Sequence, residues 1–139
     1  MSFAVTIANV GVGVSQALPI LVALIAAEPN QIVYIEQPGI HLHPNAHIGL
    51  VEAIMDAAHR GVRVVVETHS ATFLLALQTM IAEQNIKKYN KERLDLRDIV
   101  LYWFPHKDNG ASYATNGRIE ANGTFGDWPV DFSDITMGL

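Results

Sequence analysis

Apolar and polar residues follow two rhythms along this chain. Phe3 to Ala8 alternates apolar with small or polar residues, the period of a strand. After the glycine-containing loop Asn9 to Ser15 (NVGVGVS), the run from Gln16 to Ala27 is apolar on nearly every side, so a helix there has to be buried on most faces. Ser15 is placed to cap that helix, and Pro19 falls in its first turn, where a missing N–H costs little. Gln31 to Glu36 (QIVYIE) predicts a buried strand that ends in a carboxylate, and Pro38 to Pro44 a loop, with Pro44 near the first position of a second helix. In that helix Ile48, Val51, Ile54, Met55 and Ala58 recur at helical spacing, and Gly61 stops it. Val62 to Glu67 (VRVVVE) is a second β-branched strand. Ser70 then caps a third helix with Phe73, Leu74, Leu77 and Ile81 on one face.

Strands alternating with helices predict an α/β layered core with parallel strands. Beyond it the rhythm changes. Ile86 to Asp98 is charged, Ile99 to Pro105 (IVLYWFP) reads as a strand, and Asp108-Asn109-Gly110, Asn116-Gly117 and Asn122-Gly123 mark closely spaced turns. The tail therefore predicts small antiparallel β structure, and the chain divides into a core of residues 1–98 and a β-rich domain of residues 99–139.

Composition narrows the class. Of 139 residues, 50% are hydrophobic and 17% charged, which suits a compact folded chain rather than a disordered or fibrous one. The absence of cysteine excludes a disulfide framework and a thiolate metal site. A net charge of −5 argues against broad nonspecific nucleic-acid binding. The longest apolar run, Ala17 to Ala27, falls short of the roughly 20 residues that span a bilayer. The first residues show no signal-peptide pattern, so the expected location is cytoplasmic, with no membrane partner.

In open α/β sheets ligands bind at the carboxyl ends of strands, which here carry Glu36 and Glu67-Thr68-His69. A carboxylate closing a buried strand needs a partner: Glu36 is either associated with Mg²⁺ or a hydrogen-bonded structural acid. His69 precedes a helix, where it either meets a phosphate oxygen or is a loop histidine bonded to backbone. In NVGVGVSQ the unobstructed N–H groups of Gly11 and Gly13 and the Ser15 hydroxyl suit a phosphate; a plain strand-to-helix turn is the alternative.

Taken in order, V-G-V-G-V-S-Q, I-V-Y-I-E-Q-P-G-I-H-L-H-P and V-V-V-E-T-H-S resemble the C-terminal half of ABC-type ATPases of the RecF/SMC/OLD-like class. The tail Gly123-Thr124-Phe125-Gly126-Asp127-Trp128-Pro129 is similar to a short C-terminal domain of unknown function in bacterial ATPases of that kind. The resemblance implies a partial P-loop NTPase fold with parallel strands, flanking helices and an antiparallel tail. It also implies roles. Gly11, Gly13 and Ser15 would form the signature segment that contacts the γ-phosphate of a nucleotide held by the opposite protomer. Glu36 would be the Walker B acid that orients Mg²⁺ through its waters, and Gln37 would stand where many relatives place the catalytic glutamate. His41-Leu42-His43-Pro44 would be the D-loop, presenting His41 and His43 to the dimer interface, and His69 the switch histidine. ATP and Mg²⁺ are the cofactors implied for the complete enzyme.

Two departures qualify this. The E-Q-P-E pattern of that family reads E-Q-P-G here, with Gly39 in place of the second acid, so an acid restored at position 39 is expected to speed turnover. No G-x-x-x-x-G-K-[ST] run occurs, so the β- and γ-phosphates have neither cradle nor lysine. The chain is therefore expected to be a fragment or truncated product, inactive alone and without tightly bound nucleotide. Its implied partners are a missing P-loop half or a second ATPase protomer, and the pathways implied by the resemblance are DNA repair or phage defence.

Two other classes compete. His41, His43 and His47 could form an H-x-H metal site completed by a helical histidine. A non-catalytic interaction module would expose apolar surface and strand edges and form a homo-oligomer. Within it, Lys87, Lys88, Lys91, Arg93 and Arg97, interleaved with Glu92, Asp95 and Asp98, either contact nucleic acid or form a solvated charged segment.

Overall fold

The computed structural model of the chain describes residues 11–85, 96–105, 110–120 and 122–126. The strand expected at Phe3 to Ala8, the basic residues Lys87, Lys88, Lys91 and Arg93, the Asp108-Asn109 pair and Asp127-Trp128-Pro129 lie outside them. Two compact units divide the chain, Met1–Leu77 and Gln78–Leu139.

The first unit contains α1 (Val12–Ala26), β1 (Ile32–Glu36), α2 (Pro44–His59) and β2 (Arg63–Glu67), followed by α3 (Ala71–Asn85), which runs on into the second. β1 and β2 pair in parallel from Ile32↔Arg63 to Glu36↔Glu67. The α/β class with parallel strands is thus the observed one, with α2 as the crossover that parallel neighbours require. One sheet face, with Val33, Ile35, Val64 and Val66, packs on Leu24, Ala27 and Ala57 and on the half-buried Ile20, Ala53 and Ile54. Burial of a side chain such as Leu24 contributes about 1.5–3 kcal/mol. The opposite face, with Ile32, Tyr34 and Glu36 beside Arg63, Val65 and Glu67, is exposed. QIVYIE, expected as a buried strand, has only every second residue of β1 covered among the described residues.

α1 differs from expectation in four ways. It starts at Val12 rather than Gln16, with Gly11 as an N-cap that lacks a side-chain bond. Ser15 is therefore no cap but lies in the first turn, donating its hydroxyl to the Val12 carbonyl at 2.8 Å. The early start is possible because Gly13 is small: a Cβ there would lie 3.2 Å from both the His41 carbonyl oxygen and Leu42 Cδ2. Consequently Pro19 sits inside the helix, where it removes one i→i−4 bond. Finally, the helix buries only Leu24, and Val14, Leu18, Val22 and Ile25 line an exposed face, Ile25 at 74%.

The C-terminal carbonyls of α1 are met by Arg60, the C-cap of α2. Its guanidinium donates to the Ala27 oxygen at 3.0 Å and to the Leu24 oxygen, and pairs with Asp56 at 3.5 Å. Gly61 follows at φ +84°, ending α2 as the sequence predicts. Among the described residues no helix is long and apolar enough to cross a membrane.

The second unit contains a short 3₁₀ turn at Leu96–Asp98 and the antiparallel strands β3 (Leu101–Trp103) and β4 (Thr115–Gly117), the small antiparallel element expected of the tail. Asn116-Gly117 lies within β4, not in a turn. Gly117 is needed there because a Cβ would meet Trp103 Nε1 at 2.8 Å. Trp103 packs edge-on against Phe125, with centroids 6.4 Å apart. Asn122-Gly123 does form its expected turn: Gly123, at φ +86°, donates to the Glu120 carbonyl at 2.9 Å, and the Asn122 side chain accepts from the Thr124 N–H and hydroxyl.

Candidate functional site

Both strands of the parallel sheet end in glutamate, and the register sets Glu36 beside Glu67. Tyr34, two residues before Glu36 and so on the same face, donates its hydroxyl to Glu67 Oε2 at 2.6 Å. That bond, followed by desolvation and the charges of Glu67 and Glu36, raises the tyrosine pKa. Both carboxylates therefore act on one point at the sheet's end. Glu67 is engaged by Tyr34, whereas the exposed Glu36 carboxylate has no hydrogen-bond or ion-pair partner among the described residues.

Gln37 extends the strand by one rung and then turns it. Its N–H donates to the Glu67 carbonyl at 2.8 Å, and the residue adopts φ +48°, unusual for a side chain with a Cβ. Its Oε1 accepts from the His69 N–H at 3.2 Å, so the segments that follow the two strands are tied together. The His69 ring is exposed and makes no hydrogen bond among the described residues. Behind it, Thr68 Oγ1 accepts from the Ser70 N–H, and Ser70 Oγ caps α3 by accepting from the Phe73 N–H at 3.2 Å. Glu36, Gln37 and His69 are thus gathered at one edge.

The loop after Gln37 is held from below. Pro38 is fully buried, Gly39 takes φ +85°, and the Leu42 N–H donates to the Gly39 carbonyl at 2.9 Å. His41 is exposed, and its carbonyl lies against Gly13 in the first turn of α1. His43 caps α2, its Nδ1 accepting from the Asn45 N–H at 3.3 Å. His47 faces the other way: it is 4% exposed and packs under Gly39. No three His, Asp or Glu side chains converge on a metal position among the described residues. His41, His43 and His47 are accordingly not brought together. At the first turn of α1, among the described residues, Gly11 has no neighbour within 4 Å of a notional Cβ and no side chain caps the helix. Between α1 and β1 runs an open groove of about 240 Å³, lined by Pro19, Ile20 and Ala23 and by Val33 to Glu36.

Sequence reasoning missed Tyr34 as part of this edge. The signal was available, since alternation sets residue 34 on the face of residue 36.

Residues 2–76 match the family described as "AAA domain, putative AbiEii toxin, Type IV TA system". The chain belongs to this AAA-domain family. Its matched stretch includes the α1 start, the Glu36–His43 segment and the Glu67–Ser70 segment, that is, every element of the strand-end cluster. The chain is also similar to the Old nuclease of Escherichia phage P2, with 33% identity over 61 residues. Those residues are 44% of this chain and 10% of that protein, so the likeness spans only a small part of the relative. No solved structure matches the chain.

Proposed function

We propose that this AAA-domain chain supplies one side of an ATP-hydrolysing site, the side that orients Mg²⁺, water and the terminal phosphate. The observation that carries this reading is the Glu36 carboxylate at the end of β1, exposed and without a partner among the described residues, with Gln37 tied to His69 beside it. Glu36 would hold Mg²⁺ through its waters. When bound, Mg²⁺ neutralises phosphate charge during transfer to water. Gln37 can orient an attacking water through its amide, and the exposed His69 ring can reach a phosphate oxygen. The start of α1 at Gly11 and Gly13 would offer N–H groups to a γ-phosphate held by another protomer, although Ser15, the third residue of that segment, donates its N–H to the Gly11 carbonyl and its hydroxyl to the Val12 carbonyl; His41 and His43 lie in the segment that would meet that protomer. The 139 residues contain no G-x-x-x-x-G-K-[ST] run, so the phosphate cradle comes from residues outside them, and these residues alone are inactive. DNA repair or phage defence is the setting that the family relationship supports.

The test is Mg-ATP turnover by this chain joined to a P-loop-bearing AAA-family half. Glu36→Gln should lower the rate by on the order of 10²-fold or more. Undiminished turnover would remove Glu36 from the reaction, and submicromolar ATP binding by the 139 residues alone would put the cradle within them.

A second reading, a non-catalytic homo-oligomer, is favoured by the exposed apolar face of α1. Light scattering should then give a mass well above 15.2 kDa that falls to the monomer in Leu18→Glu/Val22→Glu. A wild-type monomer at high concentration counts against it.

A further inference from the structure

Beneath the loop that follows β1 lies a buried histidine that the proposed chemistry does not use. His47, in the first turn of α2, is 4% exposed. Both of its ring nitrogens are closed off from solvent, and neither has a hydrogen-bond partner among the described residues. A neutral imidazole carries one N–H donor and one acceptor nitrogen, and leaving such groups buried and unpaired is costly. The arrangement observed is therefore not the best one for this ring.

What the ring does touch is Gly39. Its Nε2 lies 2.9 Å from where a Cβ on Gly39 would be, so no side chain stands between the imidazole and the backbone of the turn. The same α-carbon carries the Gly39 carbonyl, which accepts the Leu42 N–H at 2.9 Å. Gly39 sits at φ +85° and, as a glycine, can change its backbone angles with little steric resistance. Leu42 is wedged on the other side. Its Cδ1 is 3.3 Å from the place of a Gly39 Cβ, and its Cδ2 is 3.2 Å from that of a Gly13 Cβ. One half-buried side chain thus links the turn to the start of α1.

We infer that His47, Gly39 and Leu42 form a latch with two settings, in which rotation of the peptide after Gly39 carries its carbonyl from the Leu42 N–H to the His47 ring. In the second setting the ring N–H is satisfied, the turn is released, and Leu42 moves against Gly13. The amide given up belongs to a half-buried residue between exposed neighbours, where water can take it. The turn and the packing of Leu42 favour the first setting and the buried ring favours the second, so a modest contact can choose between them. His41 and His43 flank Leu42, and a surface pressing on them is placed to make that choice. The identity of that surface, an opposite protomer, rests on the ATPase reading; the latch does not. His47 is then a positioning residue: it acts by setting where Leu42 and the start of α1 stand.

The latch is tested by amide hydrogen exchange of the 139-residue chain, read at Leu42. His47→Leu removes the polar ring and with it the second setting, so the Leu42 amide should exchange at least about fivefold more slowly than in wild type. His47→Gln, whose side-chain amide can still donate to the Gly39 carbonyl, should exchange as wild type does. His47→Met repeats the comparison should His47→Leu fold poorly. Unchanged or faster exchange at Leu42 in the apolar variants overturns the latch, since a ring that merely fills space gives that result. A His47→Gln chain that behaves like His47→Leu overturns it too, because the donor is then irrelevant. The link to the site is read in the protein joined to a P-loop half, where His47→Leu should lower kcat by about 5- to 100-fold with KM for ATP unchanged and His47→Gln should restore it. Full turnover in His47→Leu would overturn that link. No turnover by the wild-type joined protein would count against the ATPase reading, and the exchange comparison would still decide the latch.

Discussion

The imidazole of His47 occupies the space beside the α-carbon of Gly39. A Cβ at position 39 would lie 2.9 Å from His47 Nε2 and 3.1 Å from Cδ2, and Gly39 itself sits at φ +85°. His47 is buried, and neither ring nitrogen has a hydrogen-bond partner among the described residues. The E-Q-P-G sequence is thus locally self-consistent: the ring at 47 takes the volume that a side chain at 39 would need.

An acid restored at position 39 is therefore expected to destabilise the chain rather than simply speed a reaction. Gly39→Glu combines a left-handed backbone, about 1–2 kcal/mol, with overpacking of about 1–3 kcal/mol. Adding His47→Ala should remove the second part and leave the first. Urea unfolding of wild type, both single variants and the double variant measures the coupling. Strictly additive losses would show that the two positions do not compete for space.

Gln37 is the better place to look for gained activity. An amide positions water but does not accept its proton, whereas Gln37→Glu supplies a carboxylate that can still accept the His69 N–H. In the protein joined to a P-loop half, single-turnover ATP hydrolysis should rise by on the order of 10²-fold. Gln37→Ala should instead fall below wild type. Equal rates in all three would mean that position 37 does not handle the water.

Arg60 fastens the end of α1 to the end of α2 through the Leu24 and Ala27 carbonyls. Hydrogen bonds from a charged donor typically contribute about 1.5–3 kcal/mol, so Arg60→Ala should lower the unfolding free energy by that order. Arg60→Lys should recover only part of it, because an ammonium cannot reproduce the two-pronged geometry. A change below about 0.5 kcal/mol, the range of neutral surface substitutions, would demote the contact.

Tyr34 predicts a pH effect of definite sign. Its folded pKa is raised, first by the bond to Glu67, so the protonated phenol is the favoured form. The stability it contributes is complete below the ordinary tyrosine value of 10.0 and is lost as pH rises through the higher folded value. The phenolate absorbance of wild type minus that of Tyr34→Phe should titrate above pH 10.0, and Glu67→Gln should bring that midpoint down. A difference curve centred at or below the ordinary value would contradict the pairing.

Where local chemistry decides, the sequence was readable. Pro44 at the start of α2, Gly61 at its end, Ser70 before α3 and the Asn122-Gly123 turn all act as their side chains require. The placement of Glu36, Gln37 and His69 at the strand ends was legible because strand ends are fixed by short apolar runs. What could not be read depended on packing between distant segments. The early start of α1 rests on Gly13 meeting His41 and Leu42, and the burial of His47 on a glycine eight residues earlier. Likewise Asn116-Gly117 has the composition of a turn, yet becomes a strand because Gly117 makes room for Trp103.

The ladder between β1 and β2 is bounded by Arg63 N–H to Gln31 at one end and Gln37 N–H to Glu67 at the other, both 2.8 Å. Because the strands are parallel, no rung can form until the whole of α2 has been looped back, an entropic toll of about 3 kcal/mol. Once that loop is closed, each further rung adds to the same sheet. The two edges of the cluster, one following β1 and one following β2, therefore appear and vanish as one cooperative foldon. The amides of Gln37 and Arg63, at opposite ends of the sheet, should exchange their hydrogens with solvent on a common timescale, and an opening that frees Glu36 from its surroundings frees His69 with it.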